Sequence, residues 1–200
     1  MIKLTSLLLT EAQSFPYWYH GRTVDSDVFS YDYVGGEDAK DQEGPGFYFT
    51  SDFNNAKRYA ENRGIILKCQ INYKKIIIKG PISNTKVSKK IVTDLIIKSP
   101  NKDDVLTNFD EDPRKALVQA INSYVGYDFA YDAYQTIAND FYKHSPKEYL
   151  QTISKYYDAQ LTKLDGSSYG DIYHLIVYKP DIIQVIEKIY CNKENGCDQK

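Results

Sequence analysis

"GPGFYFTSDFNNAKRYA", residues 44–60, decides how this chain is read. Gly44-Pro45-Gly46 is turn chemistry, because proline presets one backbone angle and glycine tolerates the others. Phe47-Tyr48-Phe49 has the short aromatic composition of a strand. Thr50, Ser51 and Asp52 then offer helix N-cap residues, and Asn54–Arg63 reads as a helix with Gly64 as its stop. A second stretch, "YWYHGR" at residues 17–22, reads as an aromatic strand over 17–20 ended by Gly21. It carries His20, one of only three histidines in the chain, next to a glycine that lets a ligand approach the backbone. Between the two stretches, residues 24–44 form a polar loop rich in acids (Asp25, Asp27, Asp32, Glu37, Asp38, Asp41, Glu43) and broken by Gly35-Gly36. A loop that long suggests function.

Working outward, residues 3–10 read as a short helix or arm, and 65–73 and 74–80 as strands. Val87, Ile91 and Leu95 then recur at helical spacing, and 113–124 and 129–143 are helical in pattern. His144 is placed to cap the latter helix at its C-terminus, where the dipole favours a cation. Ser145, Pro146 and Glu148 form a capping-box signature for one more helix. Residues 83–157 are thus a helical block between β-rich ends. "DAQLTKL", a "DGSSYG" turn, "DIYHLIVYKP" and "DIIQVIEKIY" return to strands, and residues 191–200 read as a polar, frayed tail. The expected architecture is a single α+β domain over 1–200, with a split antiparallel sheet and a helical insertion at about 83–157.

Composition narrows the partners. A net charge of −2 provides no global basic field, so nucleic acid is not favoured. The lysines at 74, 75, 79, 86, 89 and 90 read as a solvated face. Cys69, Cys191 and Cys197 form no CxxC, and no Cys/His cluster has metal-ligand spacing. Cys69 lies in an apolar run and reads as a core thiol, and the expectation is a reducing, cytoplasmic compartment. "MIKLTSLLLT" lacks the pattern of a signal peptide, and no segment has the apolar length of a membrane span.

A strand ending His20-Gly21, then Gly-Pro-Gly-Phe-Tyr48-Phe, then a helix carrying Tyr59, resembles the ADP-ribosyltransferase superfamily. The nearer likeness is to its His–Tyr–Glu branch, which includes diphtheria toxin and the poly(ADP-ribose) polymerases. "HLIVYKPDII", from His174 on, is similar to that branch's third motif, a Glu-led strand close to the C-terminus. The likeness covers residues 17–73 and 158–186 and is similar to the compact domains of this kind in bacteriophages and mobile elements, a setting of phage or toxin effectors. It implies NAD as substrate, with the Gly21 backbone on the nicotinamide carboxamide, His20 on a ribose hydroxyl, and Tyr48 and Tyr59 around the nicotinamide ring. Arg22 is then a candidate for phosphate or ribose.

The chain departs from the pattern at one position: His174 stands where the family has its Glu. In a strand, residues 172, 174, 176 and 178 share a face, so His174 is expected to point where the carboxylate would. It can bond a ribose hydroxyl but supplies no negative charge. Asp171 has the wrong parity to replace it, and Asp165 reads as a turn residue. The expected catalytic set is His20, Tyr48 and His174, with mono-ADP-ribosylation of a macromolecule, a protein first, as the leading activity. Two alternatives stay open: an NAD- or ADP-ribose-binding module of the same fold, and an NAD-dependent RNA 2′-phosphotransferase.

Overall fold

The computed structural model describes residues 15–34, 44–61, 64–79, 85–167, 170–192 and 196–197. The expectations for residues 3–10, for the Gly35-Gly36 half of the acidic loop, and for the Asp165 side chain lie outside the described residues. The strands are β1 (Trp18–Arg22), β2 (Phe47–Thr50), β3 (Ile65–Ile71), β4 (Ile76–Lys79), β5 (Ala159–Ser167), β6 (Gly170–Val177), β7 (Ile183–Asn192) and β8 (Gly196–Cys197). The helices are α1 (Phe53–Ala60), α2 (Lys89–Lys98), α3 (Lys102–Leu106), α4 (Pro113–Val125), α5 (Ala130–Phe141) and α6 (Pro146–Ile153). The fold is α+β, with strand order β4-β5-β6-β2-β1-β3-β7-β8. All neighbours pair antiparallel except β4 and β5, which are parallel. A parallel pair needs a long crossover, and helices α2 to α6 provide it.

The two halves of the sheet meet at a narrow junction. β1 pairs with β3 through all five of its residues, and β2 pairs with β6 through all four. β1 and β2 share only the pair Tyr19–Thr50. Beyond it, His20, Gly21 and Arg22 run opposite Phe49, Tyr48 and Phe47 with no further ladder pairing. The sheet therefore opens between the two stretches that the sequence singles out.

Alternation along the strands sorts the side chains. One face carries Trp18, Phe47, Phe49, Leu67, Leu161 and Leu175 in a buried apolar cluster. On the other face, α1 covers the β1–β3–β7 half through Ala56 and Ala60, packed on Ile66 and Ile189. The crossover helices cover the β4–β5–β6 half, with Ile77, Ile176 and Tyr178 in their core. Tyrosine is abundant in that core, and several of its hydroxyls find a polar partner. Tyr142 donates to the Leu95 carbonyl at 2.6 Å and Tyr124 to Asp140 at 2.7 Å. Tyr134 accepts from the Ser88 amide at 3.1 Å.

Asp158 fastens the crossover to the sheet. Its carboxylate accepts the Lys74 and Lys75 amides at 2.8 Å each and the Lys179 ammonium at 2.5 Å. Burial pulls this carboxyl upward, but Lys179 and the two amides outweigh it and hold it below the usual aspartate range. Asp158→Ala strands two amides and a cation, and is expected to lower unfolding free energy by about 3 kcal/mol in urea titration at pH 7. A loss below about 1 kcal/mol would contradict this role.

Several local expectations are corrected. The helix after β2 stops at Glu61, which takes the positive φ of 54°. Gly64 instead serves close approach, since a Cβ there would lie 2.1 Å from the Arg22 carbonyl oxygen. Ser145 precedes α6 but makes no side-chain capping bond, because its backbone (φ −143°, ψ 50°) departs from the extended conformation of an ordinary N-cap. His144 lies exposed in the turn between α5 and α6 rather than at a helix end. The tail is not frayed from residue 191 onward: β7 continues through Asn192, β8 pairs with it, and a disulfide joins Cys191 to Cys197. The three cysteines are thus not all free thiols, which removes the cysteine argument for a reducing compartment. Cys69 is the core thiol expected, fully buried and pushed by burial to a pKa of about 12. Among the described residues, no helix is long and apolar enough to cross a membrane.

Candidate functional site

Glycine at 21 is a packing requirement. A Cβ there would stand 1.9 Å from the Ala56 carbonyl oxygen and 2.8 Å from the Ala60 amide nitrogen. The backbone of α1 therefore rests directly on β1, and the two alanines on that side of the helix keep it there. Asp52 starts α1 by accepting the Asn55 amide at 2.6 Å. Because α1 follows β2 after only two residues, the contact also brings the helix that carries Tyr59 over the strand that carries His20. Tyr59 is 58% exposed, so its ring is open to an incoming flat group.

His20 bridges the opening. Its Nδ1 donates to the Tyr48 carbonyl oxygen at 2.6 Å, which fixes the proton on Nδ1, since a carbonyl only accepts. The ring packs against Phe29 and Phe49, with centroids 5.3 and 5.4 Å away. This burial, and next the Arg22 charge, lower the His20 pKa from 6.5 to about 4, with the Tyr48 carbonyl opposing them. At neutral pH the imidazole is uncharged, and Nε2 carries a lone pair able to accept a hydrogen bond.

Tyr48 is half-buried, and its hydroxyl donates to the Gly44 carbonyl. Gly46 allows β2 to lie close to β6, as a Cβ there would meet Ile176 Cγ2 at 2.2 Å. His174 lies on β6 directly opposite Thr50, and Ile176 opposite Tyr48. Tyr48, Thr50 and His174 therefore share a face, as strand parity predicts. His20 is on β1 with its ring toward the opposite face, and it reaches Tyr48 through the backbone. Thr162 on β5 also pairs with His174, so the imidazole is flanked by two threonines, both buried. Its Nε2 is withdrawn from solvent.

Arg22 turns back onto the loop that follows β1. Its guanidinium donates to the Ser26 carbonyl at 2.9 Å and the Val28 carbonyl at 3.4 Å. It also lies 4.9 Å from the centre of the Phe29 ring. Arg22 thus folds the loop after β1 back onto the sheet and seats Phe29 on His20. Lys188 holds the same loop through Asp25 at 3.0 Å. Phe29 gave no sequence signal beyond being an aromatic in an acidic loop. Asp171, of the wrong parity, pairs with Lys163 at 2.6 Å.

Comparison with protein-family models, curated proteins and solved structures returns no match. The functional reading therefore rests on the residues above.

Proposed function

We propose that this chain transfers ADP-ribose from NAD to a macromolecular acceptor, a protein in the first instance. One observation carries the reading: the sheet opens between β1 and β2 where His20-Gly21 runs opposite Tyr48-Phe49, with His20 Nδ1 bonded across the gap to the Tyr48 backbone carbonyl. NAD would lie along that opening. The neutral His20 would accept a ribose hydroxyl at Nε2, the only ring nitrogen left for it. Tyr48, its hydroxyl already engaged, would offer ring surface to the nicotinamide, and exposed Tyr59 would close on it from α1. His174, on the Tyr48 face, would bond the nicotinamide-side ribose.

The glycosidic bond of NAD then breaks toward an oxocarbenium-like centre. Its electron pair leaves with neutral nicotinamide. The acceptor's nucleophile supplies the pair for the new bond at C1′, and its proton passes to water. Polymer growth is not expected, because the family residue that activates a growing chain is replaced by His174.

Incubating the purified chain with NAD labelled on the adenine side, with and without cell lysate, tests this. Expected are nicotinamide release and a labelled macromolecule. Saturable NAD binding with neither product would replace the enzyme by a binding module. Nicotinamide release without transfer of label to a macromolecule would make it an NAD glycohydrolase. His174→Glu is expected to raise turnover if the imidazole occupies the acid's place, and a total loss would give the imidazole a role of its own.

A further inference from the structure

We propose that Asp52 supplies the carboxylate that the His174 strand lacks; this rests on the ADP-ribose-transfer reading and assigns a further residue to the same site. Strand geometry does not end with β2. Ser51 continues the ladder, its amide donating to the Tyr173 carbonyl at 2.9 Å while its hydroxyl accepts the Tyr173 amide at 2.9 Å. Asp52 is still extended, with φ −108° and ψ 123°. Tyr48, Thr50 and Asp52 therefore alternate onto one face, and His174 faces Thr50 from the next strand. Asp52 and His174 are diagonal cross-strand neighbours, about 7–8 Å apart at Cα, within side-chain reach of a common ligand atom. The Asp52 amide also donates to Thr50 Oγ1 at 3.2 Å, which ties it to the residue opposite His174.

Other described acids near this part of the sheet are engaged elsewhere. Asp158 holds Lys179 and two amides, Asp171 holds Lys163 on the opposite face, and Glu187 holds Lys68. Asp52 uses Oδ1 to cap α1. A carboxylate has a second oxygen, and a cap leaves the charge in place. That charge stands beside the nicotinamide-side ribose, where positive charge develops as the C1′–N bond breaks. It would act there by electrostatic stabilisation, and it would orient a His174 that bonds the same ribose.

The cap and the charge can be separated. Asparagine caps a helix about as well as aspartate, so Asp52→Asn keeps α1 and removes only the charge. With water as acceptor, NAD yields ADP-ribose, nicotinamide and a proton, and nicotinamide release is the readout. Expected for Asp52→Asn are an unchanged melting temperature, an unchanged Kd for NAD, and a kcat lower by on the order of 100-fold. In a His174→Glu background the same change should lower kcat by less than about 3-fold, because the new carboxylate makes Asp52 redundant. Wild-type kcat in Asp52→Asn, or an undiminished loss in the His174→Glu background, would overturn the inference alone. A wild-type chain that neither binds NAD nor releases nicotinamide would overturn the reading beneath it as well.

Discussion

Gly21→Ala is expected to be among the most destabilising single-methyl additions in this chain, lowering unfolding free energy by about 3 kcal/mol. The added Cβ would fall 1.9 Å from the Ala56 carbonyl oxygen and 3.0 Å from its carbon, with the Ala60 amide nitrogen at 2.8 Å. All three are backbone atoms, so no side chain can rotate out of the way, and α1 must lift from β1. Lifting it separates Ala56 and Ala60 from Ile66, Ile189 and the Cys191–Cys197 bridge, which together form the small core under that helix. Urea denaturation at neutral pH measures the loss, and a variant as stable as the parent would refute the close seam. Because α1 carries Tyr59 and begins at Asp52, the NAD binding proposed above is expected to fail along with it. A functional assay on Gly21→Ala therefore says nothing about backbone contacts to nicotinamide unless stability is measured beside it.

The second large effect concerns His20, and it separates by pH. Burial holds the imidazole neutral, with a pKa near 4 against 6.5 in the unfolded chain. Between those values the unfolded state binds more protons than the folded state, so stability rises with pH through that window. The contribution is complete above about pH 6.5 and drains away as the pH falls toward 4. For a group with these two pKa values the loss at pH 4.5 is roughly 2.5 kcal/mol relative to pH 7. Carboxylates such as Asp158, whose pKa is already below the ordinary aspartate value, lose their share only at lower pH. His20→Phe keeps ring packing against Phe29 and Phe49 but has nothing to titrate. Its stability is expected to be nearly flat over the window in which the parent's falls. The same variant removes the bridge to the Tyr48 carbonyl and the Nε2 acceptor, and is expected to lower the proposed NAD turnover by at least 10²-fold at pH 7. A variant that turns over NAD at the parental rate would remove His20 from the site.

Much of the site was legible because it depends on local rules. Alternation in a strand has period two, so Tyr48 and His174 could be assigned to matching faces once their strands were assumed to be neighbours. The same rule reaches Asp52, but "TSD" also reads as a helix cap, and a residue at a strand-to-helix boundary obeys both patterns at once. Burial of Cys69 followed from its apolar run. The helices of the crossover were readable from their pattern and, for α6, from Ser145, Pro146 and Glu148, except short α3, whose five residues are too few to show a period.

What the sequence determined by itself was element type and face: strands at both ends, a helical block between them, aromatic stretches around His20 and Tyr48, and a histidine where an acid was expected. The element types and faces follow from steric and hydrophobic preferences within a few residues of each position; the acid expected at 174 came only from the resemblance. Tertiary structure decided which backbone groups and charges meet. Only the β1–β2 junction, reduced to one pair, shows that His20 can bond across the opening. Only the fold of the 23–29 loop turns Arg22 inward onto carbonyls and Phe29. Only the pairing of β7 with β8 brings Cys191 and Cys197 within 4.1 Å at Cα. Each is a contact between segments with independent local preferences, and nothing in either segment alone favours the other until the sheet has set their distance.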